Sequence, residues 1–316
     1  MTASRAGEGI WALAIHGGAG AVSRDLDAEA RAAEIRAALA AVLDAGACRL
    51  SAGGAALDAV EDAVVLLEDS PLFNAGKGAV LNERGEPELD ASIMDGASLR
   101  AGAVTGLRTV KNPIRVARLV LEGSPHVFVA GDGAEAFAER HGVERVDPTY
   151  FLTERRVREL DEARRRGLTD TGPTASGESG TVGAVALDVH GNLAAATSTG
   201  GLTNKAVGRV GDSAVIGAGT FASNASCAVS CTGQGEIFIR ATAARDVAAL
   251  MEYAGLDVET AAAKVIHERV AALGGEGGLI AVDRRGRVAF AFNAEVMLRG
   301  AVTCASAPFV AIYRTA

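Results

Sequence analysis

Cysteine is scarce: Cys48, Cys227, Cys231 and Cys304 are all that 316 residues contain. Thiols this sparse and scattered exclude a disulfide framework and suit a reducing compartment. Cys227 and Cys231 stand four apart, but no neighbouring His or Cys pair completes a metal-ligand set, so they read as small apolar strand residues. Positive charge is short as well, and a net charge of -8 argues against a nucleic-acid surface, which needs clustered Lys and Arg. The one basic cluster, Arg155, Arg156, Arg158, Arg164, Arg165 and Arg166, is interleaved with Glu154, Glu159, Asp161 and Glu162 and reads as a solvated helix face. No apolar run approaches the length of a bilayer span, and Met1 to Gly9 lack the apolar core of a signal peptide, so a cytoplasmic location is expected.

What is present is a chain 49% hydrophobic and only 4% aromatic, dominated by Ala, Val, Leu and Gly and large enough to bury a substantial core. The apolar run Ile10 to Ile15 reads as a buried strand ending in a glycine-rich turn, His16 to Gly20. Residues 25–50 and 54–68 are Ala-rich with Leu and Val at helical spacing. Short strands are expected at Asp90 to Met94, Ala101 to Leu107 and Val127 to Gly131, and short helices at Pro113 to Glu122 and Ala134 to His141.

The composition then changes: ten of the 14 residues from Gly167 to Gly180 are Gly, Pro, Ser or Thr. Such a segment buries too little apolar surface to offset its ordering entropy, and 167–180 reads as a mobile linker. Directly after it, Thr181 to Asp188 and Leu193 to Thr199 read as strand, turn, strand, and the same grammar returns at Leu279 to Asp283 and Arg287 to Phe292. Both hairpins are nearly all apolar, as expected of strands covered on two faces. Between them Glu236 to Tyr253 and Asp257 to Leu273 read as helices, the second capped by Asp257 and ended by Gly274. Sheets covered on both faces, with paired helices in each half, imply an α+β fold of four layers, an αββα sandwich.

Thr181 opens a strand immediately after a linker and a glycine. Gly180 leaves its carbonyl carbon open to approach, so the Thr181 hydroxyl can attack it, shift the chain from amide to ester and, after hydrolysis, leave a new amino-terminal Thr. A free α-amine has a pKa of about 7.7 to 8.0 and can take the proton from its own residue's hydroxyl near neutral pH, so no His or Asp partner is required. Accordingly none of His16, His126, His141, His190 and His267 is assigned to catalysis. The glycine pairs at 217 and 219 and at 131 and 133 lack the acidic or Lys-Ser partners of dinucleotide and phosphate loops.

The segments Ile15 to Gly20, Pro71 to Gly76, Leu89 to Gly96, Lys111 to Ile114, Ser124 to Val127, Gly180 to Asp188, Ala196 to Gly201, Gly208 to Ser213 and Cys231 to Glu236 resemble, in order, the Thr-dependent isoaspartyl peptidase and L-asparaginase family of amino-terminal-nucleophile hydrolases. The resemblance covers nearly the whole chain. It implies one hydrolase domain, 1–316, cut between Gly180 and Thr181 into an α segment, 1–180, and a β segment, 181–316. The expected substrates are small: the side-chain amide of asparagine and β-aspartyl dipeptides.

By that resemblance Thr181 is the nucleophile and Thr199 a supporting hydroxyl. Arg209 and Asp212 are the substrate clamp, which suits an α-carboxylate and an α-ammonium. Thr232 and Gly233 resemble an oxyanion hole, and Asn74 stands at the active site. The loop Leu67 to Lys77 resembles one that holds a structural sodium ion through the main-chain carbonyls of Leu67, Glu68, Ser70, Phe73, Ala75 and Lys77; no organic cofactor is implied. The family implies a dimer of such α/β pairs, with no nucleic-acid or membrane partner. Ala294 departs from the small hydroxyl residue common at its position, which bears on fine substrate preference. A glycosylasparaginase acting on glycan-linked asparagine is the nearest alternative, and a non-enzymatic phosphate-binding module, which would stay a single intact chain, is the alternative from another class.

Overall fold

The computed structural model describes residues 9–20, 28–167 and 180–314. Most of the expected linker, 168–179, lies outside the described residues. The first half of the chain contributes β1 (Ala12–Gly20), α1 (Ala28–Ser51), α2 (Ala56–Glu68), β2 (Leu89–Asp95), β3 (Ala101–Leu107), α3 (Pro113–Gly123), β4 (Phe128–Ala130), α4 (Gly131–Arg140) and α5 (Glu154–Arg166). The second contributes β5 (Val182–Leu187), β6 (Leu193–Thr199), β7 (Thr220–Ala222), β8 (Cys227–Gly233), α6 (Gly235–Ala241), α7 (Ala243–Ala254) and α8 (Val258–Lys264), which runs on as a wider π turn, Val265–Val270. β9 (Gly277–Asp283), β10 (Val288–Phe292), β11 (Val296–Thr303) and β12 (Ser306–Tyr313) close the chain.

The strands form two sheets, one ordered β12-β11-β1-β5-β6-β2-β3-β4 and the other β10-β9-β8-β7. Period-2 alternation sends successive residues of each central strand into different cores. Leu13 and Ile15 of β1, Val182, Ala184 and Ala186 of β5, and Ala194 and Ala196 of β6 pack with Ile35, Leu39 and Leu43 of α1 and Val60 and Val64 of α2. Cys227, Val229 and Cys231 of β8 pack with Val247 of α7 and Ala261 of α8. The opposite faces meet in a third core between the sheets, where Ala12, Ala14, Val185, Leu193 and Ala195 face Ala228, Ile280 and Val282. The result is the αββα sandwich, and strands apolar on both sides are its direct consequence.

Several local expectations change. The strand expected to stop at Ile15 runs on to Gly20, with a register shift between His16 and Gly18 where it pairs with β11. Such a bulge re-aims the side chains around it. The single helix expected over 236–253 is broken at Thr242, a non-glycine residue in the left-handed region with φ 47°. Within the basic helix, Arg156 is only 1% exposed, its guanidinium donating to Gly78 O at 2.6 Å and to Glu159 at 2.7 Å, so that face is not wholly solvated. β10 is an edge strand whose Val288, Phe290 and Phe292 are only half-buried, so the second hairpin is not covered throughout. The short β7 and the pair β11 and β12 were not anticipated.

Candidate active site

Thr181 sits just ahead of β5, 9% exposed, on the side of the large sheet that faces the small one. Its hydroxyl donates to Thr199 Oγ1 at 3.1 Å and accepts from Ser213 Oγ at 3.4 Å. Thr199 Oγ1 also accepts the Gly201 amide at 3.0 Å, which fixes it at the end of β6. The Thr181 carbonyl accepts a hydrogen bond from His16 Nδ1 at 2.8 Å. Gly180 lies against the glycines of β1: a Cβ on Gly180 would stand 2.4 Å from Gly18 Cα and 2.7 Å from Gly17 O. Gly18 itself has φ 118°, so this close approach needs glycine on both sides.

Thr232, on the inward face of β8, accepts the Ala19 amide at 3.2 Å and so keeps its own proton for a further acceptor. Gly233 ends the strand at φ 150° and leads into α6. Asn74 bridges two loops: its amide donates to Gly201 O at 2.8 Å and its carbonyl accepts from Val80 N at 2.9 Å, so it shapes the turn that follows Thr199.

Arg209 and Asp212, three apart in the chain, do not pair with each other. Arg209 makes a two-pronged contact with Glu236, both distances 2.8 Å. Gly208 is held behind it, its amide donating to both oxygens of buried Glu88. Asp212 is 3% exposed, and its Oδ2 has no hydrogen-bond partner. Burial raises its pKa to about 7, against the opposing pull of its own backbone amide and Arg209. A buried carboxyl with an unfilled oxygen is what an incoming ammonium would neutralise.

In the loop from Leu67 to Lys77, Gly76 and Gly78 have no Cβ where one would stand 2.4 Å from Glu68 O and 2.1 Å from Phe73 O respectively. These bare carbonyls fit a hard cation. The Glu68 side chain points the other way, accepting from Ser198 Oγ at 2.6 Å and Ile114 N at 3.1 Å, and burial raises its pKa to about 8. Among the described residues no group of three or more His, Cys, Asp or Glu gathers as a metal site.

Sequence alone assigned no role to His16, Ser213 or Ser230. Each faces the gap between the sheets, and only the strand register and the Asp212–Ala214 turn show it. The signal available was the even spacing of Ala12, Ala14 and His16 along β1.

The chain matches a family model described as asparaginase over residues 9–312. It is 53% identical over 310 residues to the isoaspartyl peptidase of Escherichia coli, covering 96% of each chain. It is 46% identical over 318 residues to a probable isoaspartyl peptidase/L-asparaginase of Arabidopsis thaliana, covering 93% of this chain and 96% of that one. With the human isoaspartyl peptidase/L-asparaginase it shares 46% identity over 276 residues, 87% of each chain. No helix among the described residues is long and apolar enough to cross a membrane.

Proposed function

Since the chain belongs to the asparaginase family, we propose that it is a hydrolase of the asparagine side-chain amide and of β-aspartyl dipeptides, activated by cutting its own backbone between Gly180 and Thr181. The observation that carries this reading is the buried contact of Thr181 Oγ1 with Thr199 Oγ1, directly after Gly180 and against Ser213, whose neighbour Asp212 has a carboxyl oxygen without a partner.

In maturation the Thr181 hydroxyl adds to the Gly180 carbonyl, the amide nitrogen leaves as the new α-amine, and water hydrolyses the resulting ester. The products are a segment ending at Gly180 and one beginning at Thr181. In turnover that amine, with a pKa of about 7.7 to 8.0, takes the Thr181 Oγ proton as the oxygen adds to the substrate carbonyl. Thr232 Oγ1 and the Gly233 amide receive the developing oxyanion. Ammonia or an amino acid departs with the proton, and water then releases aspartate from the ester on Thr181. Thr199 supports the nucleophile by accepting from its hydroxyl, and Asn74 holds the loop beside it.

Arg209 is read as the clamp for the α-carboxylate: the substrate takes the fork that meets Glu236, two parallel N–H···O bonds exchanged for two. Asp212 faces the α-ammonium. The carbonyls of Leu67, Glu68, Ser70, Phe73, Ala75 and Lys77 are read as a structural sodium site that stiffens the loop carrying Asn74, supported by the cradle at Gly76 and Gly78. A cytoplasmic dimer of α/β pairs completes the proposal.

Intact-mass analysis of purified protein beside Thr181→Ala tests it. The expected result is two fragments, ending at Gly180 and beginning at Thr181, with turnover of β-aspartyl dipeptide and not of glycosyl-asparagine, and an uncut, inactive variant. Full activity in an unbroken chain would overturn the mechanism.

A further inference from the structure

His16 lies wholly within the fold, and its hydrogen bonds have only one consistent direction. The Thr181 carbonyl can only accept, so Nδ1 carries a proton and donates to it at 2.8 Å. Burial depresses the imidazole pKa to about 3, so the ring is neutral and Nε2 is bare. Ser230 Oγ, 2.9 Å away, must therefore donate to Nε2. With its one proton spent there, Ser230 accepts from Thr197 Oγ1 at 2.7 Å, and Thr197 in turn accepts from Thr220 Oγ1 at 2.5 Å. Ser92 Oγ stands 2.8 Å behind Thr220 and also reaches Ser213 O at 2.6 Å. The hydroxyls of Thr220, Thr197 and Ser230, drawn from both sheets, thus point their protons toward one ring nitrogen, while the single proton of Ser92 serves either Thr220 or the carbonyl of Ser213, whose own hydroxyl touches Thr181.

Gly183 bears independently on this arrangement. It sits in the middle of a central strand, where glycine weakens a sheet, and its φ lies outside the left-handed region that would demand it. A Cβ there would stand 2.0 Å from Ser230 Oγ and 2.4 Å from His16 Nε2. The glycine leaves room for the hydrogen bond between them.

We infer that Ser230 is a positioning residue for the hydrolytic reaction: its hydroxyl, donating to Nε2, holds the plane of the His16 ring, and His16 in turn fixes the peptide plane after Thr181. This rests on the hydrolase reading above. Once the 180–181 bond is cut, Thr181 is free on its amino side, and its carbonyl side becomes the anchored one. The His16 bond then sets where the new amine and the hydroxyl lie relative to the substrate carbonyl. Without Ser230 the Nδ1–H still points to the Thr181 carbonyl, but Nε2 has lost its donor and the ring swings more freely, carrying the Thr181 carbonyl with it.

The test combines long-range ¹⁵N spectroscopy of the histidine rings with kinetics on matured enzyme, its concentration taken from the fragment beginning at Thr181. His16→Gln identifies the His16 signals among the five histidines. Wild type is expected to show a single Nδ1–H pattern for His16. Ser230→Ala is expected to keep Nδ1–H, to move the Nε2 resonance away from its hydrogen-bonded position, and to lower kcat on the order of 10- to 100-fold, with KM within about twofold of wild type. His16→Asn, which keeps an N–H toward Thr181, is expected to recover part of the kcat that His16→Gln, with its N–H toward Ser230, loses. Should Ser230→Ala lose its cooperative thermal transition, the His16→Asn and His16→Gln pair decides. An unchanged Nε2 resonance or unchanged kcat in a folded Ser230→Ala, or equal losses in the two His16 variants, overturns the inference. An inactive wild type would instead overturn the hydrolase reading, because the tautomer is read independently of turnover.

Discussion

The layer between the two sheets has two ends built on the same strands and unlike in chemistry. Toward one end the inward positions are Ala12 and Ala14 of β1, Val185 and Leu187 of β5, Leu193 and Ala195 of β6, and Ala228 of β8. Toward the other, the same faces of the same strands carry His16, Gly183, Thr197 and Thr199, and Ser230 and Thr232. Two strand positions separate a dry contact from a hydroxyl. The apolar end stabilises by area, at about 25 cal/mol per Å² removed from water. The polar end gains little net stability from its bonds, because each exchanges with water, but every buried hydroxyl left unpartnered there would cost about 1–3 kcal/mol. One end holds the sheets together, and the other is held in place by it.

The comparison predicts that substitutions at the polar end change rate far more than stability. The largest effect is expected from Thr181→Ala, with no backbone cut and a loss of kcat of at least about 10⁴-fold, while its melting temperature stays near that of a precursor that has not been cut. Thr232→Ala comes next: losing one oxyanion donor should lower kcat by roughly 10²- to 10³-fold, read on matured enzyme with unfolding followed in parallel. Asp212→Asn is a smaller and pH-dependent case. Burial raises the Asp212 pKa from 3.8 to about 7, so between those pH values the folded chain binds a proton that the unfolded chain has released. The resulting stability is present below about pH 3.8 and is lost as pH rises toward 7. Pairing with a substrate ammonium needs the ionised form, so KM should climb as pH falls below about 7. Asp212→Asn should have a higher KM that is flat with pH, and should melt higher than wild type at pH above that value. A KM in the variant that still tracks pH through that range would assign the titration to another group.

Much of this was legible in the sequence, for reasons particular residues show. Gly180 followed by Thr181 at the head of an apolar strand, taken with the resemblance along the chain, pointed to the proposed chemistry, because that chemistry needs only neighbouring atoms. β3 and β6 were read to the residue, and Asp257 caps α8 as expected, its carboxylate accepting the Thr260 amide at 3.0 Å. What stayed hidden depends on which face a residue takes. Strands buried on both sides lose the alternation that tells one face from the other, so nothing marked His16 as facing Ser230, 214 residues away. The glycines from His16 to Gly20 signalled a turn, whereas they thin a strand so that Gly180 can lie against it. Arg156 was grouped with its exposed neighbours because charge patterning along a helix does not reveal a carbonyl, that of Gly78, waiting in the fold. Arg209 and Asp212 were assigned to the substrate by resemblance, which says nothing of Glu236, the residue 27 positions on that meets the Arg209 guanidinium in the fold.

The smallest predicted effect is the sharpest check on the comparison. Ile280 lies on the inward face of β9, fully buried in the apolar core between the sheets. It pairs in register with Ser230, the residue at the centre of the polar row. Removing one methylene by Ile280→Val should cost about 0.5–1.5 kcal/mol of stability, read by denaturant unfolding of matured enzyme, and should leave kcat and KM within about twofold of wild type. If stability falls by that amount and kcat does not move, the two ends are energetically separate despite sharing a rung of the sheet, as expected when packing loss relaxes locally. If kcat falls along with stability, the Ser230 side of the rung feels the packing beside it, and the division between a stabilising end and a working end fails at this strand.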